Sequence, residues 1–334
     1  MKEISINKIK GFKIGNAQNF DAATGCTVII CEEGAVCGVD VRGGSPGTRD
    51  TDALSPVNNR EKVHAVFLSG GSSFGLDATG GVMKFLEERK IGRDVKVTVV
   101  PNVCTAVLFD LNCGCPYIRP DMNMGYEACV NAFSDMAFQG GSYGAGTGAT
   151  VGTLGGLSKA MKGGIGSYAF QHGKLYVGAV IVVNCVGDVY DYNKGKIIAG
   201  ARTDDGMAFE DCEKLVLDKY DQNRDLFSGN TIIGCIITNA NLTKSKATKL
   251  ASLGHNGIAR VIRPAHTVFD GDTIFTMCTG EVDATLDAVG ILASKAVECA
   301  ILNAVDNAKS YGSFPSVKDI SKIFEYDLNG NKIA

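Results

Sequence analysis

No block of five like charges occurs in the 334 residues, and the formal net charge is only −3. Phosphate recognition needs a basic footprint, so nucleic acid is excluded as the main partner. The longest apolar run, around Val177–Val183, is far too short to span a bilayer. The first fifteen residues, MKEISINKIKGFKIG, hold no apolar core of signal-peptide length. These absences lead us to expect a cytoplasmic protein without a membrane partner. Metal spacing is missing too. Of 12 cysteines the one close pair, Cys113-Gly-Cys115, has too short a spacer for a zinc knuckle, and neither a metal nor a cofactor is expected. Cys31, Cys37, Cys185, Cys235 and Cys278 lie inside apolar, strand-like runs, where free cysteine serves as a small buried hydrophobe. Proline is scarce, 7 residues against 42 glycines, so many backbone positions must be tight turns or close approaches.

What is present is an ordinary globular composition, 45% hydrophobic and 21% charged, enough to bury a sizeable core. Length alone fits two domains or one large α/β sandwich. Residues 26–41 read as a hairpin, "CTVIIC", the turn "EEGA", then "VCGVDVR". A strand is expected at 64–70, a helix at 76–90, strands at "VKVTVV" and "TAVLFDL", and a helix at "MGYEACVNAFSDMA". "LYVGAVIVVNCVGDVYD" is two strands or one bent one. Residues 192–228 are polar and read as a surface excursion or linker. "GNTIIGCIITNA" (229–240) is a strand, followed by helices at 243–261 and 283–308 with a strand at 273–279 between them. Strands mixed with helices and hairpins predict an α/β fold whose sheet is not purely parallel.

Three constellations offer chemistry. "GSSFG" (71–75) follows a strand and precedes a helix, the context of a nucleophile elbow, with Ser73 as nucleophile and His255 or His266 downstream; a plain Gly-Ser turn competes. "GAGTGA" (144–149) fits a dinucleotide loop only loosely, because no acidic residue falls within 160–175. It reads instead as a place of close backbone approach around a ligand. The third is Thr231, behind Gly229-Asn230. Threonine needs a base, and its own α-amine can be that base if the preceding bond is cut. A strand-capping threonine would look the same.

Longer blocks decide among these. "ATGCTVIICEEGAVCGVDVRGGSPGTRDTD" (23–52), "VHAVFLSGGSSFGLDATGGVMKFLEERKIG" (63–92), "GAGTGATVG" (144–152), "AMKGGIGS" (160–167), "VVNCVGDV" (182–189), "GNTIIGCIITNANLTK" (229–244) and "HTVFDGDTIF" (266–275) stand in order along nearly the whole chain. In them the chain resembles the P1 peptidase family, which holds the L-aminopeptidase D-amidase/esterases, the β-aminopeptidases and the nylon-oligomer hydrolases. The resemblance implies a single domain, 1–334, folded as a four-layer α/β/β/α sandwich. Its layering is that of the N-terminal-nucleophile hydrolases, with strand connections of its own. It implies self-cleavage between Asn230 and Thr231 into 1–230 and 231–334, with Thr231 as nucleophile. It gives Asn184 as oxyanion donor and Asp270 and Asp272 as acids orienting Thr231. Gly144, Gly146, Gly148 and Thr153 become pocket residues. The expected substrate is a short peptide, amide or ester, and the expected assembly a homo-oligomer, a tetramer or larger.

One departure stands out. The nylon-oligomer hydrolases carry a lysine straight after the "GATVG"-like block, where this chain has Thr153. Lys162 is the nearest candidate to replace it in catalysis. Two other readings stay open. One is an acyltransferase of the ornithine acetyltransferase type. The other is a silent protein that keeps the fold and pocket.

Overall fold

The computed structural model describes residues 1–134, 136–221 and 229–324. Eight principal strands carry the fold: β1 (Lys13–Asn19), β2 (Thr24–Val41), β3 (Val63–Ser69), β4 (Val103–Val107), β5 (Gly164–His172), β6 (Leu175–Asn184), β7 (Thr231–Ala240) and β8 (Thr273–Val282). Four principal helices cover them: α1 (Thr79–Glu88), α2 (Met122–Ala132), α3 (Lys244–Val261) and α4 (Leu286–Asp306).

The strands form two stacked sheets that share β2. One runs β5-β6-β7-β8-β2, antiparallel except for the parallel pair β7/β8. The other runs β1-β2-β3-β4, antiparallel except for the parallel pair β3/β4. The expected hairpin at 26–41 is therefore one 18-residue strand. Its first half pairs with β1 and β3, and its second half pairs with β8. Between them Glu32 and Glu33 are exposed and Gly34 has φ +70°. What looked like a turn is the irregularity at which the strand leaves one sheet for the other. The β3/β4 and β7/β8 pairs are parallel because a helix crosses over between each, α1 in the first case and α3 in the second.

Alternation along the strands sorts their side chains into three cores. Ile29, Val66 and Leu68 meet Val180, Val182, Ile233, Ile237 and Phe275 between the two sheets. The opposite faces turn outward: Val28, Ile30 and Phe67 pack on Val82, Phe85 and Ala128 of α1 and α2. Ile181, Val183, Ile232 and Ile236 pack on Leu250, Ile258, Val297 and Ile301 of α3 and α4. This is the four-layer α/β/β/α sandwich. Length and apolarity alone would let α4 cross a membrane, but 67% of its most apolar window is buried inside the molecule.

Several expected elements are shorter than read. "VKVTVV" keeps only the two-residue strand Val99–Val100. "LYVGAVIVVNCVGDVYD" breaks into β6 and a short strand, Asp188–Asp191. The 192–228 excursion holds a strand, Lys196–Ala199, and a helix, Cys212–Leu217, tied down by Asp188, which accepts from the backbone of Ala201 and Cys212; residues 222–228 lie outside the described residues. The five strand cysteines are buried and free.

Candidate active site

Asn230 and Thr231 meet the "DGD" run because β7 and β8 pair in parallel. Ile233 lies beside Thr273, so the register carries Asn230 alongside Asp270 in an isolated parallel bridge. On the other side, β6 pairs antiparallel with β7 and sets its last residue, Asn184, directly opposite Thr231. Directly opposed side chains are neighbours on one face. Three strand ends thus converge at the head of β7.

The carbonyl of Asn230 is held from two sides. Thr231 Oγ1 donates to it at 2.6 Å, and the backbone N–H of Gly271 donates at 3.1 Å. Position 271 has to be glycine. A Cβ there would stand 2.8 Å from Thr231 Oγ1, 2.8 Å from the carbonyl oxygen of Ser45 and 3.1 Å from Pro46 Cα. The loop 43–47 closes over this point. Gly44 N–H donates to the carbonyl of Thr267 and Ser45 N–H to that of Asp270.

Asp272 accepts from the N–H of Ile232 at 2.7 Å through Oδ1. Through Oδ2 it accepts from the backbone N–H of His266 at 3.2 Å and pairs with His266 Nδ1 at 2.7 Å. Asp270 accepts twice from Thr267, from N–H at 2.8 Å and from Oγ1 at 2.7 Å, both at Oδ2. Its Oδ1 is buried without a partner among the described residues. Burial first, and the Asp272 carboxylate second, push the Asp270 carboxyl up to about 7. His255 packs edge-on against His266 at 4.8 Å, and burial pushes it down to about 4.

The Asp270 shift gives a stability prediction. An unfolded aspartate titrates near 3.8, whereas this one holds its proton up to about 7 when folded. The folded state therefore binds more protons, and stability falls as pH rises through that window. Asp110 and Asp188, pushed up to about 6 by burial, act in the same sense. His255 opposes them below about 6.5, because its depressed value makes the folded state bind fewer protons there. From about pH 6.5 to about 7.5 the Asp270 contribution is left, so the Tm should drop across that interval. Asp270→Asn should flatten the drop, and an equal drop in that variant would contradict the assignment.

Asn184 is fully buried. Its Oδ1 accepts from Thr150 N–H at 2.8 Å and faces Thr150 Oγ1 at 3.3 Å, while Nδ2 donates to the carbonyl of Phe109 at 3.0 Å. An amide nitrogen carries two hydrogens, so one N–H of Asn184, the residue opposite Thr231, is left for a further acceptor. Thr153 touches the residue before the predicted cut: Asn230 Nδ2 donates to its Oγ1 at 2.5 Å.

None of the other predicted residues hydrogen-bonds the Thr231 side chain among the described residues. Lys162 is fully buried, and its Nζ donates to the carbonyls of Thr147 at 2.9 Å and Ala149 at 2.6 Å. Burial pushes its ammonium down. Its backbone links it to the site, since it pairs with Thr150, which holds Asn184. Gly144, Gly146 and Gly148 are buried where backbones and short side chains crowd them. A Cβ would come within 2.4 Å of Asn16 Oδ1 at 144, 2.2 Å of Ile165 N at 146, and 2.0 Å of the Ala23 carbonyl at 148. At these three positions the glycines permit close backbone approach. Ser73 is exposed on a 3₁₀ turn, Ser72–Ala78, with no hydrogen bond among the described residues. His255 and His266 are engaged elsewhere, so no triad forms. Ser73→Ala should leave turnover within a few-fold of wild type; a thousandfold loss in a folded variant would restore the elbow.

Sequence reasoning missed the Gly271 amide, His266 as partner of Asp272, and Thr150 as the holder of Asn184. Thr267 was missed too, although a threonine three residues before an aspartate commonly bonds it locally.

The description "Peptidase family S58" matches residues 5–316. An uncharacterised aminopeptidase of Mycobacterium leprae is 37% identical, over 93% of this chain and 92% of that one. A 6-aminohexanoate-oligomer endohydrolase of Kocuria sp. is 30% identical, over 88% and 84%. Among solved structures, the L-aminopeptidase D-Ala-esterase/amidase of Ochrobactrum anthropi, described as a variant of the Ntn hydrolase fold, superposes with a TM-score of 0.68 at 17% identity, over 93% of this chain and 88% of that one. The PH0078 protein of Pyrococcus horikoshii gives 0.67 at 20%, over 96% and 95%.

Proposed function

This chain belongs to peptidase family S58 and is a hydrolase of the aminopeptidase and amidase kind; from that premise we propose that it cuts itself between Asn230 and Thr231 and then works through Thr231 as an N-terminal nucleophile. The observation that carries the reading is the doubly held carbonyl of Asn230. The attacking hydroxyl is already bonded to it at 2.6 Å, and the Gly271 N–H polarises it from another side at 3.1 Å.

In the first reaction Oγ1 of Thr231 attacks the Asn230 carbonyl carbon. The C–N bond then breaks, the nitrogen takes up the proton that the hydroxyl lost, and an ester links Asn230 to Thr231. Water hydrolyses that ester, leaving the Asn230 carboxylate and a free Thr231 amine. In turnover the amine accepts the Oγ1 proton as the hydroxyl attacks a substrate carbonyl. The substrate's leaving amine departs with a proton, and water releases the acyl group. The Gly271 N–H and the uncommitted N–H of Asn184 supply the oxyanion donors, preorganised and out of water. Asp272 holds the Ile232 N–H and so fixes the strand on which Thr231 stands. The substrates are short peptides, amides or esters with an accessible N-terminal residue.

Intact mass of the purified protein, together with release of p-nitroaniline from aminoacyl anilides, tests this. Two fragments meeting at Asn230/Thr231, and anilide turnover, are expected. One uncut chain without turnover overturns the proposal. Added amine that captures the acyl group at water's expense would make the protein a transferase.

A further inference from the structure

The uncut chain carries an acyl residue of its own at the nucleophile. If Thr231 attacks both its own peptide bond and a substrate, as proposed above, both carbonyl carbons must stand at the same point before Oγ1. Asn230 in the uncut chain then occupies the place of the substrate's acyl residue, and its surroundings describe that subsite.

Those surroundings are specific. Asn230 is fully buried. Its carbonyl has the two donors already described. Its side-chain Nδ2 donates to Thr153 Oγ1 at 2.5 Å. Its Oδ1 is buried without a partner among the described residues, and so is Oδ1 of Asp270, the residue bridged to it. Residues paired across neighbouring strands project to the same face, so the two orphan oxygens belong to side chains on one face of the sheet. A proton on Asp270 would make one of them a donor to the other, and that carboxyl is the one pushed up to about 7. On the N-terminal side Phe109 crowds Gly229. A Cβ on Gly229 would stand 3.0 Å from Phe109 Cβ and 3.1 Å from its Cγ, so a side chain ahead of the acyl residue would require Phe109 to give by a few tenths of an ångström.

We propose that these surroundings form the acyl subsite of the mature enzyme, that Thr153 is its specificity-determining residue, and that it selects substrates whose N-terminal residue has a short side-chain amide, asparagine first. The Thr153 hydroxyl accepts the amide N–H, and Asp270, bridged beside the acyl residue, would supply a donor to the amide oxygen. A branched apolar side chain would leave both groups buried and unpaired, the kind of mismatch on which enzymes discriminate most strongly. Once self-cleavage is complete, the Asn230 carboxylate withdraws and the substrate residue takes its place.

The test is a panel of L-Asn, L-Ala and L-Leu p-nitroanilides on the processed wild type and on Thr153→Val and Thr153→Ser, read as ratios of kcat/KM. Wild type should prefer Asn to Leu by about a hundredfold or more. Thr153→Val, which keeps the shape and removes the acceptor, should lower the Asn to Ala ratio by about tenfold, and Thr153→Ser should restore it. Independently of the anilides, Asn230→Leu should slow self-cleavage by about tenfold or more, because the leucine would strand the same two polar groups. Turnover with an apolar or flat preference in wild type, or with the same ratio in Thr153→Val, overturns this inference and leaves the nucleophile reading standing. A wild type that stays uncut and inert overturns the nucleophile reading, and this inference with it. If Thr153→Val does not process, the wild-type preference and the Asn230→Leu rate decide.

Discussion

Thr231→Ala should be recovered as a single uncut chain of 334 residues that folds normally and turns over nothing. The hydroxyl is the attacking group in both reactions, so its loss removes the ester route by which the Asn230–Thr231 bond breaks and also the acyl-enzyme on which turnover depends. Removing a serine nucleophile costs on the order of 10⁶-fold in kcat in a well-studied hydrolase, and a comparable loss puts turnover below detection. Folding should survive because the substitution deletes one hydroxyl and one hydrogen bond. The Gly271 N–H still caps the Asn230 carbonyl, Ile232 still donates to Asp272, and the strand pairing at Asn184 is untouched. The Tm should therefore stay within a few degrees of the uncut wild-type chain. Thr231→Ser keeps the hydroxyl and should still be cut, at a different rate because the β-methyl that restricts χ1 is gone. Intact mass decides. If Thr231→Ala is cut at the same bond, an outside protease makes the cut and the self-cleavage mechanism is wrong.

The residue patterns revealed most of the principal helices and strands and few of the contacts, and the four layers came from the resemblance. α3 and α4 were legible because each pairs a long apolar periodicity with a threonine cap, Thr243 and Thr285, whose side chain accepts from the third residue on. β6 and β7 were legible as apolar runs buried on both faces. The strand β2 was misread because "EEGA" carries turn chemistry, and local sequence does not distinguish a turn that reverses the chain from an irregularity that passes it between sheets. Only the pairing of Val36–Val41 with β8, some 240 residues on, tells the two apart. The site shows the same division. Thr231, Asn184, Asp270 and Asp272 were named through the resemblance, and the structure brings them to neighbouring rungs at the head of β7. The Gly271 amide could not be named that way. Its role comes from its backbone, and its place beside Thr231 comes from a parallel register across 40 residues of chain. Lys162 was expected nearer the nucleophile. The glycine block turns its ammonium into a clamp on two backbone carbonyls, a use that composition does not reveal.

Asn184 is the second position at which a large effect is expected, and the structure changes how it must be tested. From the sequence it reads as a strand-end residue facing a loop, where Asn184→Asp would be a clean exchange of donor for acceptor. In the fold it is fully buried and holds three polar neighbours. An aspartate there would still accept from Thr150, but its second oxygen would face the carbonyl of Phe109, with no proton between two acceptors. A buried group left in that state costs about 1–3 kcal/mol, and more if charged, so Asn184→Asp should lose folding as well as catalysis. Asn184→Ala removes the donor without adding a charge. It should process slowly, and its mature form should lose roughly a hundred- to a thousandfold in kcat, the usual cost of one oxyanion donor. KM should move much less, because the oxyanion exists only in the transition state. Thr150→Val controls for the loss of packing. It deletes the 3.3 Å hydroxyl contact and keeps the 2.8 Å backbone bond that orients the amide, and its kcat should stay within a few-fold of wild type. If folded Asn184→Ala turns over normally, the donor is another group. The amides of the glycine block are poor candidates, since Gly144, Ala145, Gly146, Thr150 and Gly152 all donate within the protein. The Gly271 N–H would then be the principal donor, because it already bonds the one carbonyl that Thr231 is placed to attack.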